Sequence, residues 1–129
     1  MKVPFQKSFT RYYPHMKPAD VAIWERFIDK NPDYFETVEY DVPVGTTPGF
    51  IKENTLEAET GTKKLYSRKI DVVAHGADGI FIIEIKPEAG ISAIGQVVGY
   101  ALLYKRDFVP SETVRAIIIT DIIRPDIQE

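Results

Sequence analysis

Three features of this sequence predict a mixed α/β fold in which helices pack on one sheet. Apolar residues recur at helical spacing over 18–30, and two β-branched runs flank a Gly76-Ala77-Asp78-Gly79 turn. An apolar helix then separates a strand from a last strand near the C-terminus, which in one sheet calls for a parallel, right-handed crossover. The expected order is α-β-β-β-α-β, an antiparallel meander followed by that crossover. With 129 residues, 44% hydrophobic and 27% charged, the chain suits a single domain over 1–129 with its own core.

Each element has a local cause. Pro18 suits the first helical position, and Val21, Trp24, Phe27 and Ile28 then mark one face until Asn31-Pro32 stops the run, giving a helix over 18–30. From Tyr34 to Val44 the pattern alternates, with Val38, Tyr40, Val42 and Val44 expected on one side and Thr37, Glu39 and Asp41 on the other. The segment 45–66 holds Pro48, Gly49 and Thr60-Gly61 and is too long for a plain connection, so an extended hairpin or flap is expected, with Lys63 and Lys64 on its return limb. Strands follow over 67–75 and 80–87, then a helix over 91–105 that is apolar on nearly every side and hence expected to be buried, then a strand over 113–121.

Composition narrows the chemistry. Zero cysteines exclude disulfides, thiolate zinc sites and cysteine-ligated clusters, and two histidines leave little for a histidine-based site. No apolar run approaches the roughly 18 residues of a membrane span, and no basic-then-apolar leader opens the chain, so a soluble cytoplasmic protein without membrane contact is expected. The formal charge is −3, yet the arm 1–17 carries Lys2, Lys7, Arg11 and Lys17 with no acid, among Phe5, Phe9, Tyr12 and Tyr13. Basic charge beside rings suits a phosphate backbone and unpaired bases. The same arm is equally readable as aromatics packed on the core with lysines in water.

The central hairpin is where chemistry concentrates. With 76–79 as its loop, His75 falls opposite Ile80, Val73 opposite Ile82, and Asp71 opposite Glu84. Carboxylates placed so have Cβ atoms about 4.5–5.5 Å apart and repel, a penalty that a divalent cation removes. Lys86, two residues beyond Glu84, projects from the same face. An ordinary exposed Glu–Lys pair at a strand end is the competing reading. Against it, Ile80 and Ile82 share the face of Glu84 and Lys86 while Phe81, Ile83 and Ile85 fill the other, and a strand apolar on both faces is usually buried. Charges there are costly unless paired or bound to metal. Hard carboxylate oxygens select Mg²⁺ or Mn²⁺, with the Ile85 carbonyl as a further ligand, and Lys86 is placed to orient a water and counter charge on a phosphate.

Asp71, twelve residues, Glu84-Ile85-Lys86 and then a helix bearing Gln96-x-x-x-Tyr100 is a pattern that resembles the PD-(D/E)XK nuclease superfamily, and within it the RecB-like and lambda-exonuclease-like branch. The resemblance spans about residues 18–121, with Ile70 where a proline usually precedes the first acid. It implies a restriction-endonuclease-like core in which Asp71 and Glu84 bind metal and Lys86 is catalytic. It implies also that the helix face of Gln96 and Tyr100, extended by Ser92, points at the active site and contacts substrate. An acid on the first helix often helps to hold metal in such proteins; Glu25 is the candidate, with Glu36 a weaker substitute. Read from the residues alone, Gln96 and Tyr100 equally suit a helix interface and a core, and Glu25 an exposed helical face. His15 and His75 receive no role.

The expected function is therefore a Mg²⁺- or Mn²⁺-dependent deoxyribonuclease of DNA processing, repair or recombination, exonuclease and endonuclease action both remaining open. DNA is the expected partner, with Lys63, Lys64 and Arg68 as substrate-binding candidates. A homodimer, or a helicase or recombination factor, is a further expected partner, in a bacterial, archaeal or phage-encoded setting. A Holliday-junction resolvase-like endonuclease and a non-catalytic DNA-binding or assembly module are the alternatives.

Overall fold

The computed structural model describes residues 2–6, 13, 16–45 and 68–125. In chain order these form β1 (Val3–Pro4), α1 (Pro18–Lys30), β2 (Thr37–Val44), β3 (Arg68–Gly76), β4 (Gly79–Ala89), α2 (Ile91–Phe108) and β5 (Val114–Ile123). The strands build one mixed sheet in the order β1-β2-β3-β4-β5, antiparallel from β1 to β4 and parallel between β4 and β5. The fold is thus α/β in class, with α1 and α2 supplying the helical layers. No helix among the described residues is long and apolar enough to cross a membrane.

Helix α1 covers the expected span. Proline occupies its first turn, and its end is closed by Asn31, whose amide N–H donates to the Phe27 and Ile28 carbonyls while its side-chain amide donates to Phe27 as well. The following strand starts at Thr37 rather than Tyr34. Tyr34 turns back to the Asn31 carbonyl, and the Glu36 amide donates to the His75 carbonyl at 2.8 Å before the regular ladder begins. Strand β1 was not expected: it spans two residues, too few for a periodic pattern, and is fixed by pairing Val3 with Val38 and Pro4 with Thr37. Of the arm's rings, Phe5 and Tyr13 are buried in the core, which is the packing reading rather than the base-stacking one for those two residues. Phe9 and Tyr12 lie outside the described residues, as do residues 46–66 of the segment expected to form a flap, Lys63 and Lys64 among them.

Two cores sandwich the sheet. One gathers Trp24, Ile28, Val38, Val72, Ala74, Phe81, Ile83 and Ile85 beneath α1. The other gathers Val42, Val44, Ile70, Val73, Ile80 and Ile82 with Val97, Tyr100 and Tyr104 of α2. The expectation that Val38 through Val44 would share one face fails, and the reason is Asp41. Its φ of 59° is left-handed, a conformation that Asp tolerates better than most residues, and it turns the strand over. Val38 and Tyr40 therefore face α1, whereas Val42 and Val44 face α2. Strand β3 follows its neighbour: Val72, paired with Tyr40, packs toward α1, and Ile70, paired with Val42, toward α2. Asp71 sits at the crossing point.

Helix α2 runs to Phe108, longer than expected, and ends with Val109 at φ 43°, its amide donating to the Lys105 carbonyl. The expectation that it would be buried all round is also corrected. Ala93, Val97, Tyr100 and Tyr104 face the sheet, but Ile94, Val98 and Leu102 stand in solvent. An all-apolar helix gives no periodic contrast from which to read its buried side.

Candidate active site

The β3–β4 hairpin has the register read from the sequence: His75 pairs with Ile80, Val73 with Ile82 and Val72 with Ile83. The connection is tighter than expected, because Gly76 and Gly79 themselves pair and only Ala77-Asp78 turn. One step past Val72 and Ile83 the same register brings Asp71 opposite Glu84, and there the ladder gives way to side-chain chemistry. The Ile85 amide, which a continued ladder would direct to the β3 main chain, donates instead to Asp71 Oδ2 at 3.0 Å. Beyond Val72 and Ile83 the two strands no longer pair, and the Asp71 carboxylate reaches across to β4 in place of the ladder.

Around that opening is a cavity of about 410 Å³, lined by Lys17, Ala19, Asp20, Asp71, Glu84, Ile85, Lys86, Pro87 and Glu88. Asp71, Glu84, Ile85 and Lys86, singled out from sequence, thus converge in one recess. Glu84 is 4% exposed, and its Oε1 is buried with no hydrogen-bond partner among the described residues. An unpartnered buried carboxylate oxygen is expensive, so the group resists ionisation. Burial, and then the nearby Asp71 charge, push the Glu84 carboxyl up to about 7, against the pull of the Asp71 amide and of Lys86. Asp71 is raised too, chiefly by burial, with the Ile85 amide bond opposing and the Asp20 charge adding to the rise.

Asp20 is the acid that sequence reasoning passed over. It lies in the first turn of α1, and the helix enters at the open end of the sheet. The signal was present: Asp20, Trp24 and Ile28 are spaced four apart, so an acid occupies the stripe whose next two members are buried. Glu25 is not among the cavity's lining residues. Its carboxylate accepts the Tyr13 hydroxyl at 3.2 Å, a contact made by an arm residue that no helical pattern reveals. Glu36 is exposed near the far end of β3.

The helix residues singled out by the resemblance make contacts of their own. Gln96 donates its side-chain amide to the Tyr100 hydroxyl at 2.9 Å, and Tyr100 is packed into the α2-side core. Neither lines the cavity, and nor does Ser92, which is exposed in the first turn of α2. Arg68 opens β3 as an exposed residue beside Lys69, which pairs with Asp41 at 3.5 Å.

Chemically, the recess offers four carboxylates, from Asp20, Asp71, Glu84 and Glu88, and two ammonium groups, from Lys17 and Lys86. No three His, Cys, Asp or Glu side chains among the described residues are gathered closely enough to enclose a metal ion. A hard cation held by two carboxylates and completed by water is the arrangement the donor set fits, since Mg²⁺ retains several waters. The orphaned Glu84 oxygen and the mutual repulsion of Asp71 and Glu84 are what such an ion would relieve.

No known protein family, curated protein or solved structure matches this chain.

Proposed function

We propose that this chain is a metal-dependent nuclease of PD-(D/E)XK type that hydrolyses DNA phosphodiester bonds. The observation that carries this reading is the convergence of Asp71, Glu84 and Lys86 on one cavity, with a Glu84 oxygen buried and lacking any described partner. Holding like charges and a bare carboxylate oxygen in a recess disfavours the fold, and a site that binds a cation is a physical reason for the cost.

Asp71 and Glu84, with the Ile85 carbonyl, are the residues that would hold Mg²⁺ or Mn²⁺. Such an ion supplies charge neutralisation at a phosphate oxygen and lowers the pKa of a water. The protein's own part follows from its placement of side chains. Asp71 is fixed by the Ile85 amide, so its carboxylate is oriented before substrate arrives. Lys86 lines the same recess and is the donor available to orient the attacking water and to counter charge growing on the phosphate. Asp20 enters from α1 as a further acceptor, in the place first assigned to Glu25. Lys17, which lines the same recess, is a cation available to a flanking phosphate.

Incubating the pure chain with single-stranded, duplex and branched DNA in the presence of Mg²⁺ or Mn²⁺, beside a Lys86→Ala control, tests this. Cleavage by the native chain alone supports a nuclease, and the preferred substrate separates end processing from junction resolution. Cleavage by both proteins alike marks contamination, and its absence from both refutes the catalytic reading.

A further inference from the structure

Strand β5 is the outer strand of the sheet: it pairs with β4 on one side, and no described strand lies on the other. The Ile80 amide donates to the Thr113 carbonyl at 2.8 Å, so the main-chain groups of odd-numbered β5 residues turn toward β4. Those of Ala116, Ile118 and Thr120 therefore point outward along an edge that natural proteins normally cover or blunt. Here the edge adjoins an apolar flank. Asp107 accepts the Gly45 amide at 2.8 Å, which turns that side of α2 toward β2. Ile94 and Val98, spaced four apart, lie on the other flank, toward β5, and are 38% and 46% exposed, with Leu102, 63% exposed, at its outer rim facing away from the sheet.

We propose that this combined surface is a homodimer interface, in which β5 of two copies pair antiparallel about a two-fold axis through Ile118 and the two α2 helices meet above the joined sheet. Charge selects the register. With Ile118 opposite its own copy, Ala116 falls opposite Thr120 and Arg115 opposite Asp121 of the second copy. Arg115 and Asp121 share the face of Ile117 and Ile119, which pack on the α1-side core, and both are exposed. Shifting the pairing by one residue pairs inward-facing with outward-facing main chain, and shifting by two sets Arg115 against Ile119 or Ile123. The register with Ile118 at its centre alone satisfies both charge and hydrogen bonding.

Dimensions agree. Helix α2 packs mainly on β4 and β5, which places its axis about half a strand spacing inside β5. With neighbouring strands about 4.8 Å apart, α2 then lies roughly 5 Å from the two-fold axis and about 10 Å from its mate, the contact distance of packed helices. Ile94 and Val98 would fill that contact, with Leu102 at its outer rim, as a self-complementary interface requires. Asp121 already accepts both Arg26 guanidinium nitrogens at 2.8 and 3.2 Å, so it enters the pairing oriented on the α1 side.

The test is the sedimentation behaviour of the full chain, native and variant, with a melting curve for each. The native chain is expected at twice its 14.7 kDa mass. Arg115→Asp and Asp121→Arg each replace two attractive pairs with two repulsive ones and should weaken dimerisation by roughly tenfold or more. Mixing the two variants sets opposite charges against each other again and should restore the dimer. Ile118→Lys, which brings two lysines together on the axis, should be monomeric. Asp121→Arg also removes the Arg26 partner, so if it fails to fold, Arg115→Asp and Ile118→Lys carry the test. A native chain that sediments as a monomer, a dimer that these substitutions leave intact, or two folded charge variants that do not recombine would overturn the proposal.

Discussion

Replacing Glu84 by Gln removes a carboxyl group whose ionisation the fold opposes, and the consequence should be legible in the pH dependence of stability. In the folded protein this group titrates at about 7, against an ordinary value of 4.5. Between those two values the folded state keeps a proton that the unfolded chain has released. The associated stabilisation is complete below about pH 4.5, drains as the pH rises and is gone above about pH 7, a loss of about 3 kcal/mol. Asp71, raised as well, adds to the loss in the same direction. Urea melts in the presence of a chelator, at several pH values from about 4.5 to about 8, should show native stability falling relative to Glu84→Gln by that amount. In thermal melts the same difference is about 10 °C for a domain of this size. The comparison is of slopes, because the Gln amide has its own burial cost at every pH. Mn²⁺ at about pH 8 should return part of the loss to the native chain, about 2.7 kcal/mol at a hundredfold excess over Kd, and none to the variant. Parallel stability curves for the two proteins would refute the claim that Glu84 is held as a poorly solvated acid. Metal stabilisation of both alike would place the ion elsewhere.

Three further outcomes are expected. Asp20→Asn should weaken Mn²⁺ binding, measured by calorimetry, by roughly three- to tenfold through loss of one nearby charge, whereas Glu25→Gln should leave it unchanged; equal effects would remove the distinction drawn between these acids. Gly79 has φ 122°, and an added Cβ would collide with the Thr113 carbonyl that accepts the Ile80 amide, so Gly79→Ala should cost roughly 3 kcal/mol or more in urea melts. Val109 is a β-branched residue in left-handed backbone at an exposed helix end, so Val109→Gly should stabilise by about 1 kcal/mol, and a loss of stability would show that the left-handed cap is not under strain.

Elements whose pattern is local were legible in the sequence. Pro18 and Asn31 bounded α1, and the two glycines bounding Ala77-Asp78 set the β3–β4 register, because turn geometry and alternation leave few choices. Strand β1 escaped because its two residues are held only by β2, and the overturn at Asp41 escaped because alternation in the text of a strand carries no trace of one left-handed residue. That single dihedral divides Val38 and Tyr40 from Val42 and Val44.

For the candidate site the division is the same. The sequence by itself determined that Asp71, Glu84 and Lys86 are close, since hairpin register and strand period are properties of neighbouring residues. Only the tertiary structure decided which acid of α1 joins them, that Gln96 bonds to Tyr100 away from the cavity, and that one flank of α2 is left facing solvent beside an open strand edge. These depend on where a helix lands on the sheet and how far it is rotated about its axis, which no periodicity within the helix can specify.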